Sequence, residues 1–299
     1  MSAVTAAPAA LRDGNSNIVL LEHVNLAQPD PALATLFHVV GLGLTRDPYL
    51  MVGVDNMWIN AGATQIHLPT RPAQRLPGAV HLAVPDLAWV GQSLATVAPR
   101  LAGTAFGVAR VDDGQGGALV ATCPWGNRYV CHASAPGDAV RLGITAVEVE
   151  VAAGMAAGIA RFYAEVMGAP ARCTAAADGL AATVVDIRRH QQLRFVETHA
   201  VLPAWDGHHV QLYLADAAAV RSRCLALGIV SRDAGASDWR CIDIVDPRDG
   251  RLLHRLEHEL RGLDHPLFDR PLVNRNPAQR QAGYRPGADS WAAAWDAHR

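Results

Sequence analysis

The chain has 299 residues, half of them apolar and 18% charged, which supports a real core and excludes a wholly disordered polypeptide. Its formal net charge of −2 leaves no basic footprint for nucleic acid, so a small molecule is the expected partner. Five cysteines without a C-x-x-C pair read as reduced thiols; Met1 to Pro8 form no secretory leader and no run is long and apolar enough for a membrane span, so a cytoplasmic, non-membrane protein is expected.

Residues 1–17, rich in Ala, Pro, Gly, Asn and Ser, read as a loose arm. Ile18 to Leu26 is a β-branched and apolar strand, and Asp30-Pro31 opens a helix with a cap and an early proline. The helix is expected to stop at Gly41 or Gly43, with strands near Tyr49–Val54, Met57–Asn60 and Thr64–Leu68. A second unit starts at Ala79–Val84, with a helix after Asp86 and strands near 107–111, 118–122 and 128–132. A third starts near Ile144, with a helix holding Gly158–Val166 and strands near 181–187 and 193–197. A fourth starts at His208–Leu214, with a helix after Asp216 and strands near 240–245 and 252–256.

These units are copies of one pattern. Phe37 follows His23 by 37 − 23 = 14 residues, and Phe162 follows Glu148 by 162 − 148 = 14; Gly43 and Gly168 follow the same two residues by 20. Asp30 and Asp216 each lie seven residues after a histidine, His23 and His209, and Asp86 lies seven after Ala79. The fold class is therefore α+β, with four βαβββ modules paired into two half-barrels. The linker Ala135-Pro136-Gly137-Asp138 divides the chain into an N-terminal domain, 18–136, and a C-terminal domain, 141–263, each with its own cavity. Residues 264–299, with Tyr284, Trp291 and Trp295, read as a tail that packs on the body or on a neighbouring subunit of a homo-oligomer.

Paired β-α-β-β-β units with His-Val-Asn-Leu at 23–26, Phe162-Tyr163 ahead of Gly168, and Gly126-Asn127 before a last strand resemble the vicinal oxygen chelate superfamily of glyoxalase I, bleomycin-resistance proteins and type I extradiol dioxygenases. Four units in one chain are similar to the dioxygenase arrangement, in which the second half keeps the metal. The resemblance implies ligands at the first strands of units three and four and the last strand of unit four. Those positions are Glu148, His209 and His254, a carboxylate and two imidazoles suited to a divalent metal, Fe(II) first, with Mn, Zn or Ni also compatible. The order here is Glu, His, His where the dioxygenases have His, His, Glu.

Each ligand has an alternative. Glu148 can be a solvated strand residue, His209 half of a surface His-His pair, and His254 an exposed residue whose place a one-strand register slip would give to Glu257. His199 and Asp243 are the expected catalytic groups beside the metal. Tyr213 and Trp239 either line the cavity or pack in the core. His23, His67, His81 and His132 in the first half either hold a second metal or keep only hydrogen-bonding roles. Neither a phosphate-binding loop nor a G-x-S-x-G elbow is present. The expected activity is a metal-dependent extradiol-type dioxygenase taking dioxygen and a small aromatic or enolic substrate with vicinal oxygens. The alternatives are a glyoxalase-like lyase or isomerase and a non-catalytic binding protein.

Overall fold

The computed structural model describes residues 15–50, 55–112, 117–175, 179–235, 237–277 and 279–286. Unit one comprises β1 (Ile18–Asn25), α1 (Pro31–Ala34, widening into a π-helical turn over Thr35–Gly41), β2 (Thr45–Arg46), β3 (Asn56–Ala61) and β4 (Thr64–Pro69). Unit two comprises β5 (Gly78–Val84), α2 (Leu87–Val97), β6 (Gly107–Val111), β7 (Ala118–Thr122) and β8 (Arg128–Ala133). Unit three comprises β9 (Gly143–Ala152), α3 (Ala156–Arg161, widening over Phe162–Met167), β10 (Ala171–Ala175), β11 (Ala181–Ile187) and β12 (Gln191–Thr198). Unit four comprises β13 (His209–Leu214), α4 (Ala217–Ala226), β14 (Val230–Asp233), β15 (Asp238–Val245) and β16 (Leu252–Gly262). No helix among the described residues is long and apolar enough to cross a membrane.

The aspartates at the repeat's seventh position cap helices. Asp30 accepts from the backbone of Ala32 and Leu33, Asp86 from Trp89 and Asp216 from Ala219. In unit three the N-cap residue Met155 offers no capping side chain, and Glu197 on the same unit's β12 accepts from the Ala156 N–H at 2.8 Å instead. Phe37 and Phe162, the repeated aromatics, are fully buried, and Gly168 closes its helix at φ +71°, a left-handed conformation in which a Cβ is costly.

Three local expectations change. The strand expected over 49–54 is instead the short β2 at Thr45–Arg46, because Asp47 turns the chain by accepting from the N–H groups of Tyr49 and Leu50; residues 51–54 lie outside the described residues. Strands β10 and β14 escaped the reading because they are mostly exposed edge strands with no apolar alternation. Asn17 is not loose, for its side chain donates to Met167 O and accepts from Asp216 N; residues 1–14 lie outside the described residues.

The larger correction concerns pairing. The sheet orders are β14-β15-β16-β13-β1-β4-β3-β2 and β10-β11-β12-β9-β5-β8-β7-β6. Unit one thus pairs with unit four, and unit two with unit three, so neither 18–136 nor 141–263 is a half-barrel by itself. In each unit the first and last strands run parallel, and the first strands of paired units run antiparallel, β1 with β13 and β5 with β9. The short connection from β8 to β9 lets the two middle units pair at low closure cost, leaving the outer units to close on each other.

The sheets are joined by buried contacts within one hydrophobic core. The Gln191 side chain accepts from Leu21 N at 3.0 Å and donates to both Leu21 O and Ile144 O. Gly62, at φ +62°, meets Leu142 so closely that a Cβ would lie 1.7 Å from its carbonyl oxygen. Two imidazole–phenol contacts repeat the junction with residue types exchanged: His38 to Tyr129 at 3.0 Å, and Tyr163 to His258 at 2.6 Å. Beyond β16 the chain crosses back over unit one, where Asn274 bonds both ways with the Gly62 backbone and Asn60 donates to Val273 O. The tail therefore packs on the body around Val273 and Asn274, whereas residues 280–286 are exposed, Tyr284 at 55%; Trp291 and Trp295 lie outside the described residues.

Substituting Asp86→Ala removes one cap and lowers stability by about 1 kcal/mol in urea titration. His38 supplies a pH dependence: burial holds its pKa at about 4, against 6.5 when unperturbed. Between those values the unfolded chain takes up a proton that the fold refuses, so stability falls as pH drops from 6.5 toward 4. Urea midpoints across that range show the slope, and His38→Gln lessens it without abolishing it, because burial lowers His254 and His258 in the same way.

Candidate metal centre

The centre forms on the concave face of the first sheet, where β1, β13 and β16 are adjacent. In the ladder His23 lies opposite Gln211, and Gln211 opposite Glu259; one step toward the mouth, Asn25 lies opposite His209 and His209 opposite Glu257. His23, His209 and Glu259 each offer a ligand atom, and these atoms all lie within 4.8 Å of one another. All three side chains are buried.

The donor atoms fit a cation. His23 is held at Nδ1 by Glu22 Oε2 at 2.6 Å, beside a register shift in the ladder between Leu21 and His23. Its Nε2 is buried without a hydrogen-bond partner, as is Nε2 of His209. Such orphaned groups cost about 1–3 kcal/mol each unless something binds them. His209 Nε2 lies 3.5 Å from Glu259 Oε2. Burial works against ionisation of Glu259, but His209, His23, Arg261 and Arg240 outweigh it and hold the carboxyl well below the usual range. Burial likewise lowers the His209 pKa despite Glu259, keeping the ring neutral. A neutral imidazole and an ionised carboxylate are the forms that ligate metals. Glu259 also pairs with Arg240 and Arg261, and its oxygens have enough lone pairs to serve an ion as well.

His67 stands beside this group. Strand β4 places His67 opposite Asn25 as β16 places Glu259 opposite Gln211, each two residues after the histidine of a first strand. Its ring stacks on Trp58 at 3.8 Å, bonds to Asn56 and lies 5.9 Å from the His23 ring. Burial, reinforced by the charges of His23 and His209, lowers its pKa to about 2. A cavity of about 870 Å³ opens here, lined by Asn25, His67, His209, Arg240 and Glu257 among others.

The trio expected from the sequence does not assemble. His209 is in the group, whereas Glu148 belongs to β9 in the other sheet, 3.8 Å from His81 and opposite Arg194. His254 also falls outside, its pKa lowered to about 4 by burial first and by His208 second. The β15–β16 ladder carries two register shifts, and the carboxylate arrives 259 − 254 = 5 residues later than the count from Gly250 placed it. His199 is exposed on the bend after β12, and Asp243 is held by Arg255 at 3.1 Å, so neither expected catalytic group is part of the cluster. The first-half histidines divide between sheets, His23 and His67 in one and His81 with His132, 3.1 Å apart, in the other. Tyr213 and Trp239 are both fully buried. The signal that located Glu259 was present in the alternation Glu257-His258-Glu259, which turns two carboxylates to one face, but which of them meets an imidazole is a matter of register.

No protein-family profile and no curated protein sequence matches the chain. Among solved structures, glyoxalase I from Zea mays is 14% identical over 82% of this chain and 92% of that chain, with a TM-score of 0.57. A candidate dioxygenase from Bacillus subtilis is 12% identical over 83% of this chain and 86% of that chain, with a TM-score of 0.54. This is the vicinal oxygen chelate fold. In this version of the vicinal oxygen chelate fold the cluster lies between the first and last units of the chain.

Metal analysis of the full chain tests the geometry. About one divalent ion per chain is expected; His23→Ala and Glu259→Gln each lower its occupancy at least tenfold, while Glu148→Gln and His254→Ala leave it unchanged.

Proposed function

We propose that the chain is a metal-dependent oxygenase of the extradiol type, acting on a small aromatic or enolic molecule with two adjacent oxygens, with dioxygen as co-substrate. The observation that carries this reading is the convergence of two imidazoles and one carboxylate, His23, His209 and Glu259, on one point of a buried concave face. That donor set is the facial arrangement typical of non-haem Fe(II), with the remaining positions left for substrate. A bound divalent ion would act as Lewis acid toward the paired oxygens and supply redox chemistry if it is iron.

The chain's own groups do the rest. Glu22 fixes the orientation of the His23 ring and strengthens its free nitrogen as a donor. Arg240 and Arg261 hold Glu259 in place and ionised. The Arg240 guanidinium also pairs with Glu257 and so holds that carboxylate at the mouth. Burial of His23, His209 and Glu259 would limit the access of water to an ion held there.

The second reading is a metal-dependent lyase or isomerase of the glyoxalase kind. His67 favours it, because a third imidazole beside the cluster would supply a fourth ligand and complete a coordination shell suited to Lewis-acid chemistry without oxygen. Oxygen uptake by anaerobically purified, iron-loaded protein with a panel of catechols separates the two. Catechol-dependent consumption that His209→Ala abolishes, by a factor of at least a hundred, is the expected result. Retained metal with no oxygen consumption by any catechol overturns the oxygenase reading and leaves the lyase or isomerase.

A further inference from the structure

One row of residues crosses the first sheet at the level of the candidate metal centre. From the edge inward it runs from Arg232 on β14 to Arg240 on β15 and Glu259 on β16. Arg232 and Arg240 are directly opposite each other, two guanidinium groups on neighbouring strands and on one face. Like charges so placed repel and weaken a ladder. Both arginines line the cavity of about 870 Å³ that also reaches His209 and His67.

The two differ in what answers their charge. Arg240 is bound by Glu257 and Glu259. The exposed Arg232 side chain has neither an ion pair nor a hydrogen bond among the described residues. Its neighbour Asp233 alternates to the other face of the sheet, where Arg221 of α4 takes it. The remaining acids of the cavity wall are placed elsewhere. Asp206 accepts from the Arg75 N–H and holds His208, and Asp55 precedes β3, toward the opposite edge of the sheet. The third guanidinium of the wall, Arg71, follows β4 and shares that side with Asp55. The uncompensated positive charge therefore stands at the β14 end of the cavity.

An oxyanion seated against Arg232 would relieve the repulsion and supply the missing counter-charge. The guanidinium fork matches a carboxylate through two parallel hydrogen bonds. Strands lie about 4.8 Å apart, so the Arg232 backbone stands about 10 Å from that of Glu259. A molecule whose paired oxygens sit at the metal centre thus meets Arg232 with its far end. The cavity is of a size that takes a drug-sized ligand, more room than a bare catechol ring fills. We propose that Arg232 is a specificity-determining residue that binds a carboxylate carried by the substrate at the end remote from its paired oxygens, so that the substrate class is an aromatic or enolic acid. This inference rests on the functional reading above and adds a second point of attachment away from the ion.

The test is calorimetric binding by the iron-loaded full chain without oxygen. The probes are catechol, catechol bearing an acetate arm, the methyl ester of that acid, and the same ring with an arm ending in sulfonate. Wild type is expected to bind the acid about tenfold more tightly than the ester, with a difference that shrinks in high salt. Arg232→Met keeps an apolar stem and removes the charge. It is expected to bind acid and ester alike, to keep the affinity for catechol and the metal stoichiometry, and to melt at the wild-type temperature or higher, because one of two opposed like charges is gone. Arg232→Lys is expected to recover part of the preference, as a point charge without the fork. Wild type that binds catechol but treats acid and ester equally, or Arg232→Met that keeps the full preference, overturns the assignment and leaves the oxygenase reading standing. A sulfonate bound more tightly than the acid overturns the choice of carboxylate. Wild type that takes up iron but binds none of the probes overturns this inference and the oxygenase reading together.

Discussion

The antiparallel ladder between β1 and β13 is the constraint on which the rest of the molecule depends. It joins segments 209 − 23 = 186 residues apart and sets His23 against Gln211 and Asn25 against His209. Parallel pairing then brings β4 to one side and β16 to the other, so that the candidate ligands come from both extremes of the repeat. A slip of one residue anywhere in this ladder would turn His23 or His209 to the opposite face and dismantle the cluster. Burial of the apolar faces of both sheets in one core is what fixes the register.

Charge is arranged around that constraint. Glu259 is buried, yet His209, His23, Arg261 and Arg240 together keep it ionised, while loss of water lowers the pKa of His209 and of His67 beside it. The two effects have one cause, a low-dielectric interior that penalises any isolated charge and rewards a paired one. The second sheet resolves the same problem with one guanidinium where the first uses two. There Glu148 lies opposite the buried Arg194, and a fixed guanidinium provides the positive charge. Repetition of one module has produced two half-barrels whose carboxylates each meet guanidinium charge, and in the first of them two imidazoles with unpartnered Nε2 atoms join the carboxylate.

The junction between the half-barrels shows the same economy of design. His38 beneath unit one meets Tyr129 of unit two, and Tyr163 beneath unit three meets His258 of unit four. The partners are exchanged in type but equivalent in geometry, which ties each odd-numbered unit's helix to the last strand of the unit that follows it. Within the first half-barrel the chain beyond β16 binds back to unit one through Asn274 and the Gly62 backbone, and across the junction Gly62 meets Leu142 where no side chain but hydrogen fits. The order of the chain and the order of the sheets are thereby locked together.

Most of the architecture was legible without coordinates. Strand and helix periods, the aspartate caps and the repeated Phe and Gly positions are local properties, and each unit's βαβββ order follows from them. His209 was legible too, because a histidine opening a unit seven residues before a capping aspartate is a pattern in one dimension. Glu148 and His254 were misread for one reason: which unit pairs with which, and where β16 meets β13 after two register shifts, are set by contacts between residues far apart in sequence. The residue sequence determined the modules, their number and their likeness to one another, since local propensity and spacing suffice for these. Only the tertiary structure decided that unit one closes on unit four and that His23 and Glu259 join His209, since these depend on burying both sheets in one core, and a core is a property of the whole chain.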